Sequence, residues 1–379
     1  MNVLVTGAKG FIGKNLTTHL QRREDVAIFP YDVENSVEEL NAWLDEADFV
    51  YHLAGVNRPK NEEEFFSGNA GLTSTICDRL AERSDPPPLL LSSSIQAELD
   101  NPYGRSKRLA EEAVVRYGEQ AGARAIIYRL TNVFGKWSRP NYNTVVATFC
   151  YNIAHDLPIR VSDPEREIEL IYIDDVVRAF LSELEGGQLG VKGSLQAEKT
   201  PLYKRVSPSY PVMLGRLADL IRSFRESRRS LLAPNFSDPF VYKLYGMYLT
   251  YLDEAEFAYN LTQRSDDRGS LAEFIKSQHF GQIFVSRTKP GVTRGNHFHH
   301  TKAEKFLVVE GDAMIRFRSL YGSGEVIEYR VSGKEFKVLD IPPGYTHNIE
   351  NVGATELITL FWASEIFDPD QPDTYYEEV

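Results

Sequence analysis

The chain has 379 residues, of which 42% are hydrophobic and 25% are charged, so we expect a globular protein of two domains. Its 42 basic and 54 acidic residues give a net charge of −12, which excludes a general attraction for nucleic acids or acidic lipid surfaces. Apolar runs stay below the length of a membrane span, no leader pattern precedes the first strand, and Cys77 and Cys150 lack CxxC spacing. We therefore expect a cytoplasmic protein with no nucleic-acid or membrane partner.

The first half of the chain, from Met1 to about Glu185, alternates short apolar runs with amphipathic stretches. The apolar runs cover residues 3–5, 49–53, 89–91 and 125–128. This rhythm is typical of βαβ units, whose strands form a parallel sheet. The sequence therefore predicts an α/β fold here, a Rossmann-like doubly wound parallel sheet.

A glycine turn follows the first apolar run, with Gly7, Gly10 and Gly13 in the segment 2–13. Glycines between a strand and a helix let backbone N–H groups approach a pyrophosphate without Cβ clashes. At the first strand-to-helix turn of a βαβ pattern, this spacing predicts dinucleotide binding. Asp32 ends the next apolar run, where an acid binds the adenosine ribose hydroxyls and disfavours a 2′-phosphate. A solvated turn acid is the alternative.

A serine run and a Tyr-x3-Lys spacing come next in the chain. The apolar run at residues 89–91 leads into three serines that end at Ser94, and Tyr103 and Lys107 follow on a predicted helix. Residues four apart share a helix face, and a neighbouring ammonium lowers the pKa of a phenol from its usual value of about 10. The pattern predicts proton exchange between Tyr103 and a substrate carbonyl or alcohol.

The pattern changes in the last third of the chain. Residues 211–259 are helical and aromatic, with an apolar helical face over 213–227. Short β-rich runs separated by turn residues then follow at 282–287, 304–309, 314–317 and 357–362. Such runs are typical of a small antiparallel barrel. We place the boundary near residues 250–262, which gives domains 1–255 and 262–379.

Four of the eight histidines, His297, His299, His300 and His347, lie in the last quarter of the chain. His297 and His299 share a strand face because residues two apart point the same way, whereas His300 points away and is an alternate ligand. Glu304 and His347 come from neighbouring strands. Imidazole and carboxylate donors suit a divalent ion such as Zn, Fe, Mn or Ni, with room left for water or substrate.

The first 185 residues resemble the extended short-chain dehydrogenase/reductase superfamily, in the glycine turn, the Tyr-x3-Lys pair, Asn69 and the segments 48–55, 128–135 and 172–176. The resemblance implies that Tyr103 donates a proton, and that Lys107 lowers the pKa of Tyr103 and holds the nicotinamide ribose. It further implies that Ser94 polarises the carbonyl, with Ser93 as the fallback. The cofactor-binding residues that it implies are Gly7, Lys9, Gly10, Phe11, Ile12, Gly13, Asp32, Leu53, Ala54, Gly55, Tyr103 and Lys107.

The two histidine blocks resemble the two motifs of the cupin superfamily, so the resemblance implies an all-β cupin barrel for the C-terminal domain. It also implies a metal site, with zinc as the first expectation. The ligands are His297, His299, Glu304 and His347. A metal-free barrel whose histidines only pack or catalyse is the alternative.

Longer stretches, among them 55–59, 266–270 and 296–302, resemble a family of bacterial capsule and O-antigen enzymes with the same domain order. That family acts on a UDP-linked 4-keto-6-deoxy-N-acetylhexosamine. Its cupin domain epimerises C3, and its reductase domain then reduces the C4 ketone to UDP-2-acetamido-2,6-dideoxy-L-talose, on the route to UDP-N-acetyl-L-fucosamine. The resemblance implies a bifunctional enzyme of this kind.

The cofactor preference stays open at this point, because the resemblance implies NADPH whereas the acid at Asp32 favours NADH. Lys9 or Arg58 can still reach a 2′-phosphate.

Three residues in the segment 136–141 lie where the UDP-sugar should pass, or else form an ordinary surface loop. They are Lys136, Arg139 and Asn141.

We expect a homodimer, since cupin strands often pair between subunits. The alternative is a nucleotide-sugar epimerase that recycles NAD and carries a non-catalytic, dimerising cupin.

Overall fold

The computed structural model describes residues 1–188, 202–321 and 324–379. The chain separates into two compact units. The first comprises Met1–Ile221 with Lys243–Leu252, and the second comprises Arg222–Tyr242 with Asp253–Val379. Among the described residues we find no helix with both the length and the apolar character of a transmembrane span.

The first unit is built on a parallel sheet. Its strands are β1 (Asn2–Thr6), β2 (Ala27–Tyr31), β3 (Phe49–His52), β4 (Leu89–Ser94), β5 (Ala125–Leu130), β6 (Asn132–Phe134), β7 (Glu167–Tyr172), β8 (Leu202–Lys204) and β9 (Ser209–Met213). Six of them pair in the order β2-β1-β3-β4-β5-β8, and β6, β7 and β9 form a smaller sheet. Thr6 lies opposite both Tyr31 and His52. The carboxyl ends of the first three strands therefore meet at one edge of the sheet.

Helices cover both faces of this sheet. The chain contains α1 (Phe11–Leu20), α2 (Val37–Glu46), α3 (Glu63–Phe65), α4 (Leu72–Ala81), α5 (Pro102–Ala121), α6 (Val145–Ala154), α7 (Ile173–Gln188), α8 (Leu214–Ser230) and α9 (Pro239–Leu249). A π-helical turn, Phe66–Gly71, joins α3 to α4. Val3 and Val5 pack in one buried cluster, and Leu4 packs in another. Because successive residues of a strand point to opposite faces, both faces are covered, which confirms the predicted doubly wound fold.

The second unit contains antiparallel sheets. Its strands are β10 (Gln263–Asp266), β11 (Gly269–Ser277), β12 (Gly281–Thr288), β13 (Thr293–Phe298), β14 (Glu304–Glu310), β15 (Asp312–Ser319), β16 (Val326–Ser332), β17 (Val338–Ile341), β18 (Tyr345–Asn351), β19 (Leu357–Ala363) and β20 (Tyr375–Tyr376). One sheet has the order β10-β11-β12-β19-β14-β17, and the other has the order β16-β15-β18-β13-β20. Alternate residues of β15, Ala313, Ile315 and Phe317, enter the buried core. The predicted all-β, cupin-like domain is confirmed.

The sequence pattern located several elements to within a few residues. The four β-rich runs predicted in the last third of the chain lie in β12, β14, β15 and β19, and the helix predicted over 213–227 lies in α8. The division between the two units falls inside α8 and α9.

Candidate functional sites

The glycine turn after β1 leaves no room for side chains. Gly7 has a φ of 69°, and a Cβ atom there would lie 2.8 Å from the backbone nitrogen of Ala54. A Cβ atom on Gly13 would lie 2.1 Å from the carbonyl oxygen of Gly7. The N–H of Gly10 closes the turn by donating to the carbonyl of Gly7 at 3.0 Å. The glycines therefore let three backbone segments meet, which matches the cradle that a dinucleotide needs.

The first turn of α1 fits an anionic ligand. Gly10 occupies the N-cap position without a side-chain cap, and no acidic residue lies in the first turn of the helix. The free N–H groups and the helix dipole make this end attractive to a phosphate. Phe11 and Ile12, also predicted to bind the cofactor, open the helix and pack in part against the core below the turn.

Asp32 lies beside this turn, as its position after β2 predicts. Its Oδ2 accepts a hydrogen bond from the backbone N–H of Lys9 at 2.7 Å. The ammonium of Lys9 forms an exposed ion pair with Glu34 at 3.1 Å. The end of β2 thus presents two carboxylates and one paired lysine to the place where an adenosine ribose would bind.

The segment after β3 completes the cradle. Leu53 and Ala54 donate their N–H groups to the backbone carbonyl and hydroxyl of Thr6, both at 3.2 Å. A Cβ atom on Gly55 would lie 3.0 Å from Oδ1 of Asn69 and 3.7 Å from Nζ of Lys107. The buried Asn69 side chain holds this loop, because it bonds both backbone groups of Val56. Gly55 is thereby placed next to the predicted catalytic lysine.

Ser94 and Tyr103 are brought together by the end of β4 and the start of α5. The Ser94 hydroxyl acts on the phenol of Tyr103, whose pKa it lowers against the effect of burial. Asn101 caps α5 by accepting from the N–H of Gly104 at 2.7 Å, and a Cβ atom on Gly104 would lie 2.3 Å from the carbonyl oxygen of Gln96. This close approach positions the phenol beside the strand end. The two hydroxyls can hold one substrate oxygen between them.

Lys107 lies one helical turn after Tyr103 and is 6% exposed. Its ammonium donates to the carbonyl of Ser92 at 2.9 Å. Burial lowers the pKa of Lys107 to about 8, against the opposing charge of Glu111. The side chain therefore changes its charge near neutral pH.

The expected lowering of the Tyr103 pKa is not seen in the chain by itself. Burial raises the pKa of Tyr103, and the hydrogen bond with Ser94 opposes that rise. The physical reason is desolvation, since a buried phenolate loses its water. The Lys107 ammonium is meanwhile directed to the carbonyl of Ser92.

A buried network that the sequence analysis missed lies behind the serine run. The Ser93 hydroxyl donates to Glu111 at 2.5 Å, and Arg129 grips the same carboxylate through Nε and Nη2 at 3.0 and 2.7 Å. Ser93, the fallback for Ser94, is thus bound to this carboxylate. Glu111 lies four residues after Lys107, so its charge acts on the lysine from the protein interior.

The loop residues considered for the UDP-sugar have partners of their own. Lys136 donates to Asp174 at 2.5 Å. The guanidinium groups of Arg58 and Arg139 lie 5.2 and 5.1 Å from the ring centre of Tyr142. The backbone N–H of Asn141 donates to Thr148 at 3.0 Å. Arg58 and Arg139 therefore meet at one aromatic ring, whereas Lys136 is held elsewhere.

The second unit brings the four predicted metal ligands together. One ligand atom from each of His297, His299, Glu304 and His347 lies within 4.8 Å of the others. His297 and His347 are direct neighbours across β13 and β18. Nε2 of His299 and Nε2 of His347 each lie 3.3 Å from Oε2 of Glu304. Two ligands of one zinc ion are separated by roughly this distance, given bonds of about 2.1 Å.

The tautomers of two rings favour a cation between them. Nδ1 of His299 lies 2.6 Å from the carbonyl oxygen of Asp373, and Nδ1 of His347 lies 3.3 Å from that of Tyr345. A carbonyl oxygen only accepts, so these Nδ1 atoms carry the protons and leave lone pairs on Nε2. Within the described residues both Nε2 atoms are buried without a hydrogen-bond partner. The Nε2 lone pairs of both rings therefore face Oε2 of Glu304 with no proton between them. A divalent metal ion bound by all three atoms fits this arrangement.

His297 is also in the form that a metal needs. Burial, reinforced by His347 and His299, lowers its pKa to about 4. The ring is therefore neutral at physiological pH. The alternate ligand His300 is exposed and instead lies against Tyr375, at 4.8 Å between ring centres.

A C-terminal strap, residues 372–378, holds the ligand strand in place. The Asp373 carboxylate accepts from the backbone N–H groups of His300, Thr301 and Lys302, each at 2.9 Å. Beyond it, β20 pairs with β13 and places Tyr376 opposite His297. The strap was not predicted, because more than 70 residues separate the partners in sequence.

Two families match the chain. The NAD dependent epimerase/dehydratase family matches residues 3–194, and the polysaccharide biosynthesis C-terminal domain matches residues 264–375. The first match contains the glycine turn and the Ser94–Tyr103–Lys107 set. The second contains the four clustered ligands.

Two of the relatives match over the full length of the chain. The UDP-2-acetamido-2,6-beta-L-arabino-hexul-4-ose reductase of Pseudomonas aeruginosa is 45% identical over 99% of this chain and 98% of its own. The crystal structure of the capsular polysaccharide assembling protein CapF from Staphylococcus aureus superposes with a TM-score of 0.90, at 47% identity over all of both chains. The spore coat polysaccharide biosynthesis protein SpsL of Bacillus subtilis is 30% identical over 30% of this chain and 81% of its own.

Proposed function

The chain belongs to the NAD dependent epimerase/dehydratase family, and from this membership we propose that it is a bifunctional nucleotide-sugar enzyme of capsular polysaccharide or O-antigen precursor synthesis. Its substrate is a UDP-linked 4-keto-6-deoxy-N-acetylhexosamine. The cupin domain, 262–379, epimerises C3. The reductase domain, 1–255, then reduces the C4 ketone to UDP-2-acetamido-2,6-dideoxy-L-talose, on the route to UDP-N-acetyl-L-fucosamine.

The observation that carries the reductase assignment is the placement of the Ser94 hydroxyl beside the Tyr103 phenol, with the buried Lys107 one helical turn after Tyr103. When bound, a reduced nicotinamide nucleotide supplies the hydride. Tyr103 donates its phenolic proton to the developing C4 alkoxide, and Ser94 donates to the same oxygen. Lys107 holds the nicotinamide ribose and stabilises the phenolate that remains after proton transfer. Gly7, Gly10, Gly13 and the segment 53–55 position the cofactor.

The order of the two reactions follows from the chemistry of the ketone. A C4 carbonyl acidifies the C3 hydrogen, so a base can remove it and the enolate can be reprotonated on the other face. Reduction of C4 removes this acidity and fixes the configuration at C3. Epimerisation must therefore precede reduction.

We place the epimerisation in the barrel around His297, His299, Glu304 and His347. The buried lone pairs on His299 and His347 support a divalent ion there, with zinc as our proposal. When bound, such an ion supplies a Lewis acid that polarises oxygen ligands. The neutral, partly exposed His297 contributes the third imidazole.

The remaining parts of the proposal concern the setting of the enzyme. We propose NADPH as the reductant, with NADH as the competing choice because of Asp32. The two free, buried cysteines fit a reducing cytoplasm.

We propose a homodimer, which light scattering on the purified chain tests directly. A monomeric mass would contradict it.

Product analysis by NMR tests the central proposal. The full chain is incubated in D2O with the 4-keto UDP-sugar and reduced cofactor. We expect deuterium at C3 and a new alcohol at C4, with one cofactor oxidised per product. The alternative, a nucleotide-sugar epimerase that recycles NAD beside a non-catalytic cupin, predicts no net cofactor oxidation.

Deletion of residues 262–379 tests the role of the barrel separately. Unchanged stereochemistry of the product would contradict a catalytic role of the barrel.

A further inference from the structure

The side chains of Arg294 and His297 lie on the same face of β13 although the two residues are three positions apart. In a regular strand such residues face opposite sides. Here the register shifts between Gly295 and His297, so that Arg294 lies opposite Ile349 and His297 lies opposite His347. Ile349 and His347 are two residues apart and share a face, and Ile349 packs in the barrel core. The bulge therefore turns both side chains inward.

The backbone of this bulge is shaped for the purpose. Gly295 has a φ of 102° and Asn296 a φ of 57°, which are left-handed values that glycine and asparagine tolerate best. A Cβ atom on Gly295 would lie 2.7 Å from the carbonyl oxygen of His347. The close approach of the two strands thus requires glycine at this position.

The Arg294 guanidinium lies close to the edge strand β10 of the other sheet. Its Nη2 is 3.7 Å from Oδ1 of Asp266 on β10, the edge strand of the opposite sheet. Its side chain is 17% exposed. Among the residues that the structure describes, its Nε and Nη2 are buried and find no hydrogen-bond acceptor. Asp266 is engaged instead by Arg268, whose Nη2 lies 2.6 Å from Oδ2.

In an arginine side chain, Nε and Nη2 form one edge of the guanidinium. Two other arginines of this chain bind a carboxylate through this edge. Arg79 uses it to hold Asp45 at 2.9 and 2.6 Å. Arg129 uses it to hold Glu111 at 3.0 and 2.7 Å. The matching edge of Arg294 is buried without such a partner. A buried cation with an open bidentate edge fits an anionic oxygen ligand.

We propose that the Nε–Nη2 edge of Arg294 binds a negatively charged oxygen of the sugar nucleotide in the barrel. The assignment rests on the proposed epimerisation of that substrate in the C-terminal domain. Two oxygens of the substrate offer the same chemistry, the C4 oxygen of the enolate and the pyrophosphate. Arg294 is a catalytic residue in the first case, since it stabilises charge that develops during proton removal. It is a substrate-binding residue in the second.

Deuterium exchange at C3 distinguishes these two sources. The full chain is incubated with the 4-keto UDP-sugar in D2O without reduced cofactor, so that reduction does not occur. We expect Arg294→Gln to lower kcat/KM for exchange on the order of 100-fold. Binding to the enolate oxygen predicts a fall in kcat, whereas binding to the pyrophosphate predicts a rise in KM. Exchange with the kinetics of the unsubstituted chain would overturn the proposal.

Two matched variants exclude a merely structural role. Asp266→Asn removes the carboxylate that lies 3.7 Å from Nη2 of Arg294 but keeps the guanidinium itself, so we expect near-normal exchange. Arg268→Gln removes the exposed guanidinium that binds Asp266, and we again expect near-normal exchange at C3. If Asp266→Asn reproduced the Arg294→Gln defect, the pairing with Asp266 would explain it and the proposal would fail. Metal content and melting temperature of each variant identify any that has lost its fold.

A measurement without turnover keeps the proposal testable if C3 exchange is absent. The 1H–15N resonance of Arg294 Nε is assigned by its loss in Arg294→Lys, and is then followed as the 4-keto UDP-sugar is added. A shift of this resonance is expected, and an unchanged resonance at saturating substrate would overturn the proposal. A shift without C3 exchange would refute epimerisation in the barrel while leaving the anion contact of Arg294 in place.

Discussion

The backbone carbonyl of Asp373 accepts a hydrogen bond from Nδ1 of His299 at 2.6 Å, and this contact directs the opposite ring nitrogen toward Glu304. The Asp373 carboxylate meanwhile holds the backbone of residues 300–302. We expect Asp373→Ala to loosen the strap and to weaken metal binding about 10- to 100-fold, as for other residues that orient a metal ligand. Competition with a chelator, followed by zinc analysis of the protein, measures this affinity.

A control for this variant lies in the same tail. The carboxylate of Asp370 lies on an exposed turn, so we expect Asp370→Ala to retain zinc as the unsubstituted chain does. Equal zinc affinity in the Asp373→Ala and Asp370→Ala variants would contradict a role of the strap in positioning His299.

The hydroxyl of Tyr103 provides the second prediction. Removal of the proton donor in Tyr103→Phe should lower the rate of C4 reduction roughly 10²- to 10⁴-fold, while deuterium exchange at C3 continues. Tyr117→Phe is the matched control on the same helix, because its hydroxyl donates to the carbonyl of Pro87 at 2.6 Å. That variant should lose about 1 kcal/mol of unfolding free energy but keep its turnover. Steady-state reduction rates and urea unfolding measure the two effects.

Glu111 provides a prediction about pH. Lys107 must be protonated to stabilise the phenolate, so reduction should decline as the pH rises through its pKa of about 8. The negative charge of Glu111 raises that pKa, and its removal in Glu111→Gln should move the decline to lower pH. The neighbouring, exposed Glu112 serves as the control in Glu112→Gln. Superimposable alkaline limbs for Glu111→Gln and the unsubstituted chain would refute the coupling.

The fold and the ligand types of both sites are readable from local sequence patterns. The glycine turn, the Tyr103-x3-Lys107 spacing and the histidine pair at 297 and 299 each depend on neighbours within a few residues. Local periodicity determines which face such side chains share. Their roles stay proposals, but their placement beside one another follows from these patterns.

The missed features depend on contacts between distant parts of the chain. Asp373 reaches its loop across more than 70 residues, and Glu111 meets Arg129 across 18. The bulge at Gly295 and Asn296 was also missed, although its glycine and asparagine are the residues that left-handed backbone favours. A regular strand period cannot place Arg294 and His297 on one face. Burial likewise explains why the pKa of Tyr103 departs from the expectation based on spacing alone.

The ion pair between Lys9 and Glu34 bears on the choice of cofactor. A 2′-phosphate at the end of β2 would meet the carboxylates of Asp32 and Glu34, and the nearby ammonium of Lys9 is already paired with Glu34 at 3.1 Å. Glu34→Gln frees that ammonium and removes one repulsive charge, so the ratio of kcat/KM for NADPH to that for NADH should rise about 2- to 5-fold, as expected for an exposed pair.

Asp32→Asn should raise the same ratio further, by roughly tenfold, because its carboxylate lies closest to the glycine turn through the N–H of Lys9. It should also weaken NADH binding, since an amide accepts less strongly from the ribose hydroxyls than a carboxylate. Glu38→Gln, in the exposed first turn of α2, controls for a general change in charge. If Glu34→Gln and Asp32→Asn both kept the ratio of the unsubstituted chain, the 2′-phosphate would have to bind away from β2, and Arg58 beside Tyr142 would become the residue to substitute next.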